Sequence, residues 1–284
     1  DKENDLGTGV ATDAAGNIGH ATRTVDVVFK IEEGPRVYIE RINIVGNTRT
    51  LDKVIRREIR LVEGDAFNRV LINRSRSRIR GLGFFKKVEI TEEPGGSNDR
   101  TVLNVEVEEQ STGEFSVSAG FSSADNIVGA VSLTEKNLLG RGQFLRLQVS
   151  ISSIRQQVDL RFTEPYFLDR NMQAGFDIYN THQTYNESNY EADIRGFGLR
   201  LGFPVSEFGR VGLRYTLRQD DIRLNAATPF QSSGVTLLSY AGFTYAYDEK
   251  DDPIEPKNGF DFLFSQDIAG IGGDKEYVKS ELST

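Results

Sequence analysis

The chain offers few residues of the types that carry out catalysis or bind metal ions. It has no cysteine, which excludes disulfides, thiolate metal sites and cysteine nucleophiles. Its two histidines, His20 and His182, lie far apart, and neither has the clustered partners that a metal ligand or a general base needs. We therefore predict no catalytic residue, no metal site, no cofactor and no enzymatic activity.

One acidic run, formed by Asp248, Glu249, Asp251 and Asp252, could attract a calcium ion. The run lacks the ligand spacing of a calcium-binding loop, so a solvated turn is the favoured interpretation.

A basic segment contains no acidic residue from position 66 to position 88. Its cations are Arg69, Arg74, Arg76, Arg78, Arg80, Lys86 and Lys87. Three interpretations stay open: a solvated helix face, a nucleic-acid contact, and a contact with the anionic headgroups of membrane lipids. The net charge of -8 argues against nucleic acid. For lipid headgroups, the predicted contacts are Arg74, Arg78, Lys86 and Lys87.

From residue 113 onward, apolar and polar residues alternate in segments of about ten residues, which indicates β-strands with two different faces. Arginines stand at polar positions in the middle of these segments: Arg146, Arg161, Arg200 and Arg214. A tight connection at residues 204–209 contrasts with long polar ones at 185–189 and 225–234. This pattern predicts an antiparallel transmembrane β-barrel with a wet interior. A soluble β-sandwich, which would bury the apolar faces between two sheets, is the alternative.

Residues 36–110 have another pattern, that of a small α+β module with the order β-α-α-β-β. Thr50 is the predicted cap of the first helix, whose apolar stripe is Leu51, Val54, Ile55 and Ile59. The second helix is predicted from Asn68 to Leu82. Residues 1–35 are interpreted as the end of a preceding module, with one strand that carries Val25, Val27, Phe29 and Ile31.

Several segments resemble the BamA family, which folds outer-membrane β-barrel proteins in Gram-negative bacteria. In the α+β module these are Gly34-Pro35-Arg36-Val37-Tyr38, Gly46-Asn47-Thr48-Arg49-Thr50, Arg56-Arg57-Glu58, Glu63-Gly64 and Leu82-Gly83-Phe84-Phe85. After it come Glu109-Gln110-Ser111-Thr112-Gly113, Asn137-Leu138-Leu139-Gly140-Arg141-Gly142, Thr163-Glu164-Pro165-Tyr166-Phe167 and Asp252-Pro253-Ile254-Glu255-Pro256. By this resemblance residues 36–110 are the membrane-proximal POTRA domain and 111–284 the N-terminal half of the barrel. The family barrel has sixteen strands, and this chain has room for roughly eight or nine. We therefore expect a fragment that lacks the closing strands, and a genuine small eight-stranded barrel is the structural alternative.

The resemblance also implies functional residues. The first barrel strand would form one side of a lateral gate, through Gly113, Phe115, Val117, Ala119, Gly120 and Phe121. A partner lipoprotein would contact Arg56, Arg60 and Glu63. A POTRA edge strand would dock extended client segments, through Val102, Leu103, Val105 and Val107.

The function that the resemblance implies is assembly and insertion of β-barrel proteins in the bacterial outer membrane, with the POTRA module in the periplasm. The expected partners are nascent barrel proteins, the lipoproteins of a BAM complex and outer-membrane lipids, but no nucleic acid. A protein-secretion pore with the same layout, or a relative that assembles autotransporters, is the alternative. An ordinary porin-like channel is disfavoured by the periplasmic module.

Overall fold

A computed structural model describes residues 11–12, 18–19, 36–123, 126–224, 233–250 and 257–284. The chain forms two compact units, residues 1–36 and residues 37–284. In the first unit the described elements are two short antiparallel strands, β1 (Ala11–Thr12) and β2 (Ile18–Gly19). The strand predicted at residues 25–31, His20, and part of the acidic run (Asp251 and Asp252) lie outside the described residues.

The second unit begins with the predicted β-α-α-β-β module. Its elements are β3 (Tyr38–Val45), α1 (Asp52–Arg56), α2 (Arg69–Gly81), β4 (Phe85–Pro94) and β5 (Arg100–Glu109). The strand order in the sheet is β3-β5-β4, with β5 parallel to β3 and antiparallel to β4. Both helices cover one face of this sheet, because their apolar stripes and the inward strand residues form one core. That core includes Ile39, Ile55, Ile79, Leu103 and Val105, each at most 2% exposed.

The two helices begin in different ways. Asn68 caps α2 as its side chain accepts hydrogen bonds from the backbone N–H groups of Val70 and Leu71, at 2.9 and 3.2 Å. The predicted capping of α1 by Thr50 is wrong: Leu51 occupies the N-cap position without a side-chain bond. The Thr50 side chain is buried and serves a different contact, described below.

The rest of the second unit is one antiparallel sheet of ten strands, each paired with the next along the chain. The strands are β6 (Gly113–Ser122), β7 (Asn126–Leu138), β8 (Gln143–Ser152), β9 (Arg155–Glu164), β10 (Gln173–Tyr185), β11 (Tyr190–Pro204), β12 (Gly209–Leu224), β13 (Gly234–Asp248), β14 (Asp261–Ala269) and β15 (Tyr277–Ser283). A single 3-10 turn, Phe167–Asp169, lies between β9 and β10.

The predicted count of eight or nine barrel strands is thus too low. One reason is that the segment predicted as a long loop at residues 185–189 is a tight hairpin turn. Tyr185 and Tyr190 are cross-strand partners whose rings stack with their centroids 4.3 Å apart. Short turns of this kind leave more of the chain for paired strands.

The sheet has one apolar face. Cross-strand partners in an antiparallel sheet share a face, and one such row crosses seven strands without interruption. It consists of Phe115, Leu133, Leu147, Leu160, Ile178, Phe197 and Leu217. Phe115 is 68% exposed and Ile178 is 46% exposed. Within the described ranges no second layer covers this face, which contradicts the sandwich alternative. Neither of the two described helices has the length and apolar character to cross a bilayer.

Candidate functional site

The strand β6 lies at one edge of the ten-stranded sheet. It pairs with β7 from Gly113↔Glu135 to Ser122↔Asn126, and no other described strand pairs with its outer edge. The predicted gate residues Gly113, Phe115, Val117, Ala119, Gly120 and Phe121 all lie on it, and all are exposed. The outer edge presents a row of backbone N–H and C=O groups, which is a template for the addition of another strand. The gate itself stays a prediction.

Packing does not explain one of the two glycines of β6. A Cβ atom added at Gly120 would meet nothing within 4 Å, whereas one added at Gly113 would lie 3.1 Å from the Glu135 carboxylate. Close packing therefore does not require glycine at position 120, and the effect of this glycine is a more flexible backbone at the edge strand.

The face opposite the apolar row carries paired charges. Asp177 accepts a hydrogen bond from the Arg161 Nε at 2.9 Å and is also paired with Arg200. Farther along the sheet, Arg214 pairs with Asp267 at 2.6 Å. These mid-strand arginines thus lie on the polar side of the sheet, as the alternation predicts, where water and carboxylates accommodate their charge.

The predicted client-docking edge of the POTRA module is wrong. Val102, Leu103, Val105 and Val107 lie on β5, which is the central strand of its sheet and pairs on both sides. All four side chains are buried, between 1% and 9% exposed. The sequence pattern could not order the strands, because a parallel pairing between β3 and β5 leaves no turn signal. Among the described strands, β3 and β4 are the edges of this sheet, and the start of β3 is hydrogen-bonded to residues 64–67.

Carboxylates outside the basic segment pair with four of its seven cations, Arg69, Arg78, Lys86 and Lys87. Arg78 is half-buried and donates to the buried Glu58 carboxylate at 2.6 Å, and its contact with lipid stays a prediction. Lys86 pairs with Glu108 at 3.1 Å and Lys87 with Glu89 at 2.7 Å, although both lysines stay exposed. Arg74 is exposed on α2. A lipid contact of Arg74, Lys86 and Lys87 stays a prediction.

Of the three residues predicted to contact a lipoprotein, the structure joins two. The Arg56 guanidinium bonds to the Glu63 carboxylate at 2.9 Å and to the Ile42 carbonyl at 3.1 Å. Both side chains line a cleft of about 810 Å³ beside β3, and Arg60 does not line it. Arg60 is exposed, and its backbone N–H donates to the Ser75 hydroxyl at 2.8 Å.

A direct junction between the POTRA module and the barrel sheet was missed by the sequence patterns. Asn137, at the end of β7, donates from its side-chain amide to the Thr50 hydroxyl at 2.8 Å, and both residues are buried. The side-chain Oδ1 of Asn137 accepts from the Gly142 N–H at 2.7 Å, and the Leu51 N–H donates to the Gly140 carbonyl at 2.8 Å. Gly140 has φ +70, and a Cβ there would lie 1.9 Å from the Arg49 carbonyl oxygen. Only glycine allows this approach.

Glu109, the last residue of β5, fixes the same loop. Its carboxylate accepts hydrogen bonds from the Thr48 hydroxyl at 2.8 Å, the Arg49 N–H at 2.9 Å and the Thr50 N–H at 2.7 Å. Partial burial acts to raise the pKa of Glu109, but these hydrogen bonds outweigh it and lower the pKa to about 2.

The turn between β9 and β10 makes a second contact with the POTRA module. The Arg57 guanidinium lies 4.1 Å from the centre of the Tyr166 ring, and the Tyr166 hydroxyl donates to Glu58 at 3.3 Å. Burial, together with the negative charge of Glu58, raises the pKa of Tyr166. Lys53 pairs with Asp169 at 2.9 Å. Two turns of the barrel sheet therefore hold α1 and its preceding loop.

The described residues hold no group of three or more histidine, aspartate or glutamate side chains that could bind a metal ion. The Nδ1 atom of His182 lies 2.8 Å from one carboxylate oxygen of Asp193.

Two family descriptions match the chain: the POTRA description, "Surface antigen variable number repeat", over residues 37–110, and the Omp85 superfamily domain over residues 137–284. The outer membrane protein assembly factor BamA of Neisseria meningitidis is 34% identical over 196 residues, which covers 67% of this chain and 25% of the relative. BamA of Nitratidesulfovibrio vulgaris is 30% identical over 261 residues, covering 90% of this chain and 33% of the relative.

Solved structures share the fold. The crystal structure of Haemophilus ducreyi BamA without POTRA domains 1–3 matches with a TM-score of 0.71 and 24% identity, over 88% of this chain and 51% of that chain. CdiB from Acinetobacter baumannii matches with a TM-score of 0.52 and 12% identity, over 87% of this chain and 48% of that chain.

A POTRA module joined to an antiparallel sheet with one apolar and one charged face defines an outer-membrane β-barrel protein of the POTRA-containing class. The chain belongs to the Omp85 superfamily and, within it, to the BamA family that its sequence resembles. It spans a quarter to a third of the length of the two curated relatives above. The predicted fold class is confirmed, and so is the predicted location in the bacterial outer membrane with the POTRA module in the periplasm.

Proposed function

We propose that this chain is the gate-forming part of an outer-membrane protein assembly factor, which folds and inserts β-barrel proteins by strand addition. The observation that carries this proposal is the exposed outer edge of β6, unpaired over its whole length among the described strands. The names of the curated relatives support the same activity, since they are outer membrane protein assembly factors.

The mechanism needs backbone rather than side-chain chemistry. A client strand adds to β6 through main-chain hydrogen bonds, and its apolar side chains extend the lipid-facing row that begins at Phe115. Every polypeptide offers the same backbone groups at the same spacing. One edge can therefore accept many different clients.

The reaction requires no nucleotide and is not enzymatic. Pairing of the client's backbone and burial of its apolar surface in the membrane provide the free energy, and the assembly factor lowers the barrier. Thinning of the bilayer beside the β6 edge contributes to this lower barrier.

The POTRA module contributes contacts with other components. The cleft that Arg56 and Glu63 line is the proposed surface for a partner lipoprotein of a BAM complex, with the exposed Arg60 as a neighbouring contact. Lipid headgroups contact the exposed cations Arg74, Lys86 and Lys87.

Depletion of the full-length protein in cells separates assembly from its alternative, a POTRA-barrel pore for protein secretion or autotransporter assembly. If the protein is an assembly factor, its depletion is expected to cause the loss of many unrelated barrel proteins from the outer membrane. Quantitative proteomics measures this loss. Loss of one secreted protein, with the barrel proteins unchanged, would establish the pore and exclude the assembly factor.

Crosslinking tests the strand-addition step. Single cysteines at Ser116, Ser118 and Gly120 of β6 are expected to form disulfides with cysteines in a stalled client barrel. The matched control is a cysteine at Ile178, which is exposed on the same sheet but lies on β10, a strand paired on both sides. Equal crosslinking at Ile178 and on β6 would contradict addition at the edge.

A further inference from the structure

The apolar face of the barrel sheet contains one groove, near the turn that contacts the POTRA module. It has a volume of about 630 Å³, within the range of small-molecule sites. Its lining is almost entirely apolar and includes Phe162, Phe176, Leu201, Leu213 and Phe167.

The groove exists because one small residue stands in a row of large ones. Ala174 pairs with Glu164 on one side and Leu201 on the other, and Leu201 pairs with Leu213. Phe162 and Phe176 stack at 5.3 Å between ring centroids and form one wall. A methyl group at position 174 thus leaves a depression where its neighbours project.

A second pocket of about 340 Å³ continues from the end of this groove. The two share Gln143, Glu164 and Phe167 as lining residues. The second pocket is charged, and its other ionic side chains are Lys53, Arg57, Arg141 and Asp169. This pocket lies where the POTRA module meets the barrel sheet. When the apolar row lies in the hydrocarbon core of the bilayer, this position is at the level of the lipid headgroups.

The charges in the second pocket are mixed. Three cations and two carboxylates line it, but Lys53 and Asp169 pair with each other at 2.9 Å, which leaves Arg57, Arg141 and Glu164 as partners for a ligand. Arg141 is exposed, and the Arg57 Nε is buried without a hydrogen-bond partner in the described residues. Glu164 is held in place by the Gln143 amide at 2.7 Å and the Tyr166 N–H at 3.1 Å.

We propose that the groove and the pocket together bind one phospholipid with a phosphate and a primary ammonium in its headgroup, such as phosphatidylethanolamine. One acyl chain fills the groove over Ala174. The phosphate binds Arg57 and Arg141 through charge-assisted hydrogen bonds, and the ammonium binds Glu164, while Lys53 and Asp169 stay paired with each other. The site depends on the membrane placement of the sheet and not on the assembly activity.

The test measures lipids retained by the full-length protein, after purification in detergent, by native mass spectrometry with added phosphatidylethanolamine, phosphatidylglycerol or phosphatidylcholine. One phosphatidylethanolamine per protein is expected at the lowest concentration. Arg141→Gln, which changes an exposed turn, is expected to weaken retention about tenfold, the loss of about 1.4 kcal/mol of binding free energy. Ala174→Phe fills the groove and is expected to abolish retention.

Matched controls are Arg210→Gln, an exposed arginine at the start of β12 outside the pocket, and Leu147→Phe, an outward residue of β8 outside the groove. Neither is expected to change retention. Equal retention of all three lipids, or retention unchanged in both Arg141→Gln and Ala174→Phe, would overturn the proposal. Client assembly by Arg141→Gln is measured separately, so that loss of the lipid with normal assembly leaves the proposed function standing.

Discussion

The Asn137 amide donates to the Thr50 hydroxyl at 2.8 Å, across 87 positions of sequence, and this buried bond joins the barrel sheet to the POTRA module. Asn137 comes from the end of β7 and Thr50 from the loop before α1. Because both side chains are buried, water cannot replace a lost partner.

Thr50→Val is expected to destabilise the junction by about 1–3 kcal/mol, since it leaves the buried Asn137 amide with an unsatisfied donor. Urea unfolding of the full-length protein measures the change in stability, and hydrogen exchange at residues 49–51 measures local opening of the junction. The control is Thr91→Val, an exposed threonine on β4. Equal stability losses in the two variants would show that the Asn137–Thr50 bond does not hold the junction.

Gly140→Ala is expected to disrupt the same junction through the backbone. A left-handed φ costs a non-glycine residue about 1–2 kcal/mol, and the new Cβ would also overlap the Arg49 carbonyl oxygen. That overlap is expected to add about 1–3 kcal/mol.

Gly272→Ala is the matched control for Gly140→Ala. Gly272 has φ +78, but a Cβ there meets nothing within 4 Å, so this variant tests the backbone strain alone. Thermal unfolding in detergent compares the two variants. If Gly272→Ala is as destabilising as Gly140→Ala, close approach of the Arg49 carbonyl is not the reason for glycine at position 140.

The hydrogen bonds of Glu109 predict a specific dependence on pH. Its pKa is about 2 in the folded protein, below the ordinary value of 4.5. A carboxyl with a depressed pKa stabilises the fold fully above its ordinary pKa, and this contribution is lost as the pH falls from 4.5 towards 2. Hydrogen exchange of the Arg49 and Thr50 amides, corrected for the intrinsic rate, should therefore show protection that decreases over this range.

Glu109→Gln is expected to remove most of this pH dependence, because its amide cannot ionise. Glu108→Gln is the control, since Glu108 pairs with Lys86 and does not contact the 48–50 loop. A pH profile of the Glu109→Gln variant identical to that of the wild type would assign the dependence to another group.

The two faces of the barrel sheet predict opposite responses to the same substitution at neighbouring positions. Leu133 belongs to the apolar row, whereas Thr134 faces the other way and pairs with Glu114 and Arg146. Leu133→Arg is expected to destabilise the barrel by about 2–4 kcal/mol if it lies near the middle of the bilayer. Thr134→Arg is expected to change little, because it enters the polar face. Urea unfolding from lipid vesicles measures both, and equal effects would contradict the assignment of the faces.

Local sequence patterns predicted the character of each element. Alternation at period two places Phe115 and Leu133 on one face and Arg146 on the other, whatever the strands around them. The stripe of Val54 and Ile55 likewise determined which side of α1 is buried, and the helix predicted from Asn68 to Leu82 is α2. These signals are local, because they depend on neighbours within one turn or one strand.

The contacts between elements could not be predicted in this way, because they depend on long-range packing. The central position of β5 depends on a parallel pairing with β3, which lies about 60 residues earlier and has no signature within either strand. Thr50 bonds to Asn137 of the barrel sheet instead of capping α1, and Arg78 bonds to Glu58, which lies 20 residues earlier in the chain. Contacts of this kind follow from how the sheets and helices pack, and the spacing of residues along the chain does not encode them.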